Sequence, residues 1–312
     1  MHSPFTSHFS AGTPLNTSRR TSLLALAALA VSALGTRDAL AAPEPMAYRY
    51  WDWGKTPKRD QYQTAALKLA LQKTMPDYGP FTVVHVVDTM STTRVRREIH
   101  SGKRMNVHAG PWRDLEADDP EERAIMVGTP VLSGLLGYRQ LIVRRDDLPK
   151  FQAINTAAQL KRLVAGQGRG WVDNAVLRHN GYQVVDSGNI TTLLDMLVSH
   201  RFDYLPISVV EADFLMKEHA QLVDTLALVP GLMLYYPLPV VYYVSANEPR
   251  LAQRLEAGLS MAKRDGSLDA LTARYFAREI ELVKASASRC FTLAHPLLPK
   301  IYASEPPRLL GR

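Results

Sequence analysis

The chain has 312 residues, 37 Lys and Arg against 30 Asp and Glu, a formal net charge of +7 and one cysteine, Cys290. That length can bury a full core, and a lone cysteine excludes an intrachain disulfide framework. The charge is mild and scattered. Its one dense basic run, "RVRREIHSGKR", reads as the solvated face of a helix, so no nucleic-acid module is indicated.

Residues 1–41 read as an export leader. Arg19 and Arg20 precede an apolar run of 13 residues from Leu23 to Gly35, which is too short to cross a hydrocarbon layer of about 30 Å as a helix. Ala39-Leu40-Ala41 fits a small-residue cleavage site. The paired arginines resemble a twin-arginine signal, while Ser22 stands where that pattern prefers Phe, so Sec export is the alternative. An uncleaved anchor is the third reading. Removing the leader leaves residues 42–312 with a net charge of +5. No second apolar run approaches spanning length, so the mature chain is expected to be soluble, monomeric and periplasmic.

The remaining pattern alternates strand and helix. "AYRYWDW" (47–53) is a strand and "RDQYQTAALKLALQKT" (59–74) an amphipathic helix. "FTVVHVVD" (81–88) is continuous and β-branched, as a strand covered on both faces should be. A helix then opens at the N-cap Ser91, with Met90 and Val95 as staple and Gly102 as terminator. "RMNVHAGPW" is a third strand, 113–122 a polar loop and "RAIMVGTPV" a short strand. After the extended "GYRQLIVRRDDLP" the alternation restarts: helix "TAAQLKRLV", Gly-rich turn "GQGRGWVDN", strand "GYQVVD", helix "NITTLLDMLVSHR" with Asn189 as cap, strand "FDYLPIS" and helix "VVEADFLMKEH". "LPVVYYVSA" (238–246) is a second long extended segment, and two helices follow, the second capped by Ser267. Such alternation means an α/β protein with mainly parallel sheets. Two units joined by two extended segments predict two lobes with a double crossover. Lobe one would be 42–144 with 237–285, lobe two 145–236, and 286–312 an irregular tail. The segments near 137–147 and 237–246 are expected to cross side by side.

Catalytic signatures are absent: there is no nucleophile elbow, zinc-protease helix, P-loop or spaced Cys cluster. His85 and His108 read as structural histidines, so no metal and no cofactor are expected, and an enzyme is the least favoured class. Trp51, Trp53, Trp112 and Trp171 fall at strand carboxyl ends or in the turn before a helix, the edge where open α/β sheets bind ligands. Asp173, Asp203, Tyr204 and Ser208 fall at the corresponding edge of the second lobe. Helix N-termini at Ser91 and Asn189 can hold an anion there.

"MSTTRVRREIHSGKRMNVHAGPW", "GTPVLSGLLGYRQLIV", "GQGRGWVDNAVLRHNGYQVV", "NITTLLDMLVSHRFDYLPISVVE" and "YPLPVVYYVSANEPRLAQRLEAGLSMAKRDGSLDALTARYF" occur in this order between about 47 and 276. In that order they resemble the periplasmic solute-binding proteins, bacterial family 3 type, linked with amino-acid ABC transporters, and within them a poorly characterised branch. The resemblance implies the class II two-lobed fold with a ligand cleft between the lobes. It also implies closure around a small solute and delivery to a membrane permease; a same-fold sensor signalling to a membrane partner is the alternative. In amino-acid-binding members an arginine before the fourth strand holds the ligand carboxylate. By position that is Arg123, with Arg113 as the alternative. A carboxylate at the end of the "FDY" strand holds the ligand ammonium. Here that position is Ser208, a hydroxyl that cannot balance a buried ammonium, and Ile207 stands where branch members often carry Arg. Tyr138, within "GLLGYR", joins the candidate ligand-binding residues.

Overall fold

The structure, a computed structural model, describes residues 44–54, 56–115 and 119–303. The expected leader and residues 304–312 lie outside the described residues. In chain order the strands and main helices are β1 (Met46–Asp52), α1 (Pro57–Lys73), β2 (Phe81–Val87), α2 (Thr92–Ser101), β3 (Val107–Pro111), β4 (Ala124–Met126), β5 (Tyr138–Arg144) and β6 (Val164–Gln167). They continue with α3 (Asp173–His179), β7 (Gln183–Asp186), α4 (Ile190–Val198), β8 (Tyr204–Ser208), α5 (Val209–Glu218), β9 (Leu226–Tyr235), β10 (Val240–Ser245), α6 (Pro249–Arg264), α7 (Ser267–Ala285) and β11 (Cys290–Thr292).

These strands form two sheets, ordered β2-β1-β3-β10-β4 and β11-β9-β5-β8-β6-β7. In each sheet one strand runs against its neighbours: β10 is antiparallel to β3 and β4, and β5 is antiparallel to β8 and β9. Both are the first strand after the chain changes sheets. Each comes over directly from the carboxyl edge of the other sheet, with no α-helix between, so it enters at the carboxyl edge of its neighbours and runs downward while they run upward; β11, which reaches the second sheet only after α6 and α7, runs parallel to β9.

This corrects the expected crossover. β5 and β10 do not lie side by side; each belongs to its own sheet, and β5 already sits in the second one. The two paired crossings are the stretches before them, residues 127–137 and 236–239, and a third passage, residues 286–289, leads from α7 to β11 in the second sheet. The paired crossings do run together: the Val131 N–H donates to the Val240 carbonyl at 2.8 Å and the Tyr236 N–H to the Gly137 carbonyl at 3.3 Å. Gly137 is required there, since a Cβ would lie 2.1 Å from the Tyr236 carbonyl oxygen. The tail is likewise not irregular throughout: Cys290–Thr292 adds a parallel edge strand to the second sheet.

Helix ends follow the sequence signals in most places. Ser91 Oγ accepts the Arg94 N–H at 3.3 Å and Gly102 takes the left-handed conformation (φ 66°) that ends α2. Asn189 accepts the Thr192 N–H at 3.3 Å at the start of α4. Ser267 instead is the first helical residue of α7, with Gly266 in the capping position. Packing between α1 and α6 is close, because Gly258 faces the Ala70 backbone and a Cβ there would meet the Ala70 oxygen at 2.1 Å. The neighbouring Arg254 is fully buried and donates to the carbonyls of Leu71 and Gly79 at 3.1 and 2.8 Å, satisfying one carbonyl in the last turn of α1 and one in the turn beyond it.

Candidate functional site

A cavity of about 240 Å³ lies at the carboxyl edges of both sheets. Its first wall comes from the ends of β1 and β3, from α1 and α2, and from β10; its second from β5, the Gly170–Asp173 turn, and β8 with α5. Leu136 and Leu238, on the two crossings, close its back. This is where open α/β sheets place ligands, because only at that edge do loops and helix starts converge without backbone pairing.

One wall is a row of rings. Trp51 meets the His108 ring edge-on at 6.3 Å, His108 stacks on Tyr243 at 5.0 Å, and the Arg113 guanidinium lies over Tyr243 at 4.7 Å. Trp51 is fixed by its Nε1–H, which donates to the Asp88 carbonyl at 2.9 Å. Burial, reinforced by Arg113, lowers the His108 pKa to about 3, so its imidazole is neutral at ordinary pH. Burial also lowers the Arg113 pKa to about 10. The Tyr243 hydroxyl donates to the Pro111 carbonyl at 2.8 Å and accepts the Arg113 N–H at 3.0 Å, and burial raises its pKa.

Two ion pairs face the same cavity. Arg139 on β5 contacts Asp173 at 2.7 Å, and the Tyr236 hydroxyl also donates to Asp173. Arg59 on α1 pairs with Glu211 on α5, joining the two walls across the cleft, and its guanidinium lies over Trp53 at 5.2 Å. Among the described residues no cluster of three His, Cys, Asp or Glu side chains could hold a metal ion, and no helix is long and apolar enough to cross a membrane.

Of the residues singled out from the sequence, Trp51, Trp53, Trp171 and Asp173 line the cavity, as does Arg113. Seven do not. Ser91 is spent on capping α2. Trp112 is 5 % exposed and packs against His295 of the C-terminal segment at 6.0 Å, behind the cavity wall. Arg123 is exposed on the surface, so the alternative, Arg113, is the cavity arginine. Tyr138 is buried against Tyr235 at 4.5 Å. Asp203 lies just before β8, at the strand's amino end, where it accepts the Val164 N–H at 2.8 Å. Tyr204 is fully buried with its ring edge-on to Phe151. Ser208 is fully buried and its hydroxyl turns away to the Leu135 carbonyl at 3.4 Å.

The strand-end rule erred at β8 by treating both ends alike: only its carboxyl end, through Ile207, reaches the cavity. Sequence reasoning missed Arg59, Arg96, Arg139 and Glu211, and took the cavity residue His108 as structural. For His108 a signal existed, since it lies on β3 two residues from Gly110-Pro111, at the edge already favoured for ligands.

No family model and no curated protein matches the sequence. Solved structures do match in fold. An ancestral arginine-binding protein bound to arginine overlays with a TM-score of 0.51 at 17% identity, covering 74% of this chain and 98% of that one. The same type of protein bound to glutamine gives 0.50 at 16% identity, covering 74% and 97%. A double mutant of the Bordetella pertussis BvgS VFT2 domain gives 0.51 at 14% identity, covering 84% and 100%. With two sheets, two paired crossings and a cleft at their shared carboxyl edges, the chain has the two-lobed fold of the periplasmic binding proteins.

Proposed function

We propose that this is an exported solute-binding protein that closes its lobes on a small solute and delivers it to an ABC-type membrane permease. The observation that carries the reading is the cavity itself, walled by both sheets and lined by aromatic rings and arginines. The paired crossings at residues 127–137 and 236–239 suit bending of the lobes about one axis. On this reading lobe one is 45–126 with 240–285, and lobe two is 138–235 with the strand 290–292. The leader expected over residues 1–41 would take the protein to the periplasm. A receptor that uses the same cleft to signal to a membrane partner is the second reading, since one fold serves both roles.

A thermal-shift screen of the mature protein against amino acids, amines, small carboxylates and sugars tests the proposal. A true ligand at 100 times its dissociation constant stabilises by about 2.7 kcal/mol. A screen in which no class of small solute shifts the melting temperature overturns it. Co-purification with a permease or with a sensor kinase then separates the two readings.

A further inference from the structure

After α7 the chain leaves lobe one, and residues 286–289 carry it to the second sheet. Hydrogen bonds tie it down there. Arg289 donates to the carbonyls of Gln152 and Pro230 at 2.8 and 2.6 Å, and β11 pairs along β9. Beyond β11, Ala294 and Asn180, the latter at the end of α3, exchange hydrogen bonds of 3.0 and 2.7 Å. The next residue crosses back. His295 meets Trp112, just past β3 in lobe one, edge-on at 6.0 Å, and both rings are buried. Further on, the Tyr302 hydroxyl donates to the carbonyl of Gly128, just past β4, at 2.7 Å. The hold on lobe one differs in kind from the hold on lobe two. Trp112 Nε1 and His295 Nε2 are buried without hydrogen-bond partners. His295 Nδ1 accepts the Leu297 N–H at 3.3 Å, so the neutral ring that burial favours carries its proton on the unpartnered Nε2. Ring packing alone joins Trp112 to His295, and parting them lets water satisfy two stranded donors.

We propose that residues 286–302 form a latch, carried by lobe two, whose His295–Trp112 contact holds the lobes closed over the cavity. The inference rests on the lobe-closure reading above and adds what holds the closed state. Bending about the paired crossings moves the carboxyl edges of the two sheets apart. Trp112 follows the carboxyl end of β3 and moves with lobe one, while Arg289, β11 and Asn180 keep His295 with lobe two. Opening therefore breaks the ring contact and the Tyr302 bond and leaves the lobe-two bonds intact. A contact that loses packing but regains hydration on parting biases the two states without locking either.

Spin labels at Lys68→Cys on α1 and Asp195→Cys on α4, both exposed positions, report the interlobe distance by pulsed electron spin resonance. The parent is the mature protein with Cys290→Ser, measured with no solute added. The expected result is a mainly closed distance in the parent and an open population roughly 3- to 10-fold larger in His295→Ala, the loss of one buried aromatic pair. Tyr302→Phe should shift the same way by less. It keeps its ring and loses only the hydroxyl, so it carries the test if His295→Ala does not fold. Unchanged distances in the variants that fold overturn the latch, as does a parent that is already open. The thermal-shift screen against amino acids, amines, small carboxylates and sugars is read separately. Silence from every class overturns the solute-binding reading, whereas a solute that raises the melting temperature while the distances stay fixed in both variants overturns the latch alone.

Discussion

Replacing Asp203 with Ala should lower stability by about 1–2 kcal/mol and leave solute affinity unchanged. Asp203 lies four residues before Ile207, the residue through which β8 reaches the cavity, and at about 3.3 Å per residue that is about 13 Å along the strand. Its main contact is the Val164 N–H, accepted at 2.8 Å. The pairs with Arg144 and Lys150 are long, 3.6 and 3.9 Å, with the Asp203 side chain 28 % exposed, so they contribute little. Arg144 is not stranded by the loss, because it also donates to the Leu197 and Phe202 carbonyls at 2.9 and 2.8 Å and pairs with Asp147 at 2.6 Å. What disappears is one hydrogen bond to a charged acceptor, worth about 1.5–3 kcal/mol when dry. Val164 is only half-buried, so water recovers part of it. Urea melts of wild type and Asp203→Ala, with a titration of the best solute against both, measure the two effects separately. A tenfold loss of affinity at an unchanged urea midpoint would refute the placement of Asp203 at the strand's far end.

Further outcomes follow from the same contacts. Asp173→Asn leaves the Arg139 cation buried without its counter-ion and should cost roughly 3–5 kcal/mol in chemical denaturation; a loss under 1 kcal/mol would mean that water reaches the pair. Gly137→Ala forces a Cβ to 2.1 Å from the Tyr236 carbonyl oxygen and should destabilise by about 1–3 kcal/mol through overpacking where the crossings touch; a neutral effect on the melting temperature would show that the crossings can part freely. His108 has a folded-state pKa depressed to about 3, so the unfolded chain binds the extra proton below its pKa of about 6.5. Its contribution to stability is therefore complete above about 6.5 and is lost as pH falls toward 3, with a slope of at most about 1.4 kcal/mol per pH unit. His108→Gln should flatten that part of the acid limb, and His295, also lowered by burial, keeps a remnant of the same sign. An unchanged slope in His108→Gln would contradict a neutral buried imidazole.

Much of the fold was legible because its signals are local and redundant. β2 is a run of β-branched residues and does form a strand, although as the partly exposed edge of its sheet rather than covered on both faces as expected; α2 has its cap, staple and terminating glycine, and two separate blocks of alternating strand and helix already imply two lobes. β6 was not legible. Its four residues, Val164-Ala165-Gly166-Gln167, carry one β-branched side chain, and Gly166 is there because the Phe202 ring would meet a Cβ at 2.3 Å. That is a long-range reason no local pattern displays. β11 was hidden in a stretch bounded by irregular chain, where only pairing with β9 makes it a strand. At the site, aromatic residues at strand ends were readable for Trp51 and Trp171. Trp112 has the same sequence position after β3, but the C-terminal segment covers it through His295, a contact 183 residues away in the chain. The cavity arginines Arg59 and Arg139 lie on elements whose neighbouring charges look solvent-facing, and their burial becomes visible only when Glu211 and Asp173 arrive from the rest of the fold.

The central claim is that solute binds between the two sheets, where Trp51, Trp53 and Trp171 line the cavity and Trp112 does not. Tryptophan emission, titrated with the solute that gives the largest thermal shift, tests it in wild type, Trp112→Phe and Trp171→Phe. The account predicts that the emission change survives in Trp112→Phe and shrinks markedly in Trp171→Phe, with affinity also reduced in the latter because a ring face is lost. An emission change that vanishes in Trp112→Phe and persists undiminished in Trp171→Phe would contradict the assignment of this cavity as the binding site.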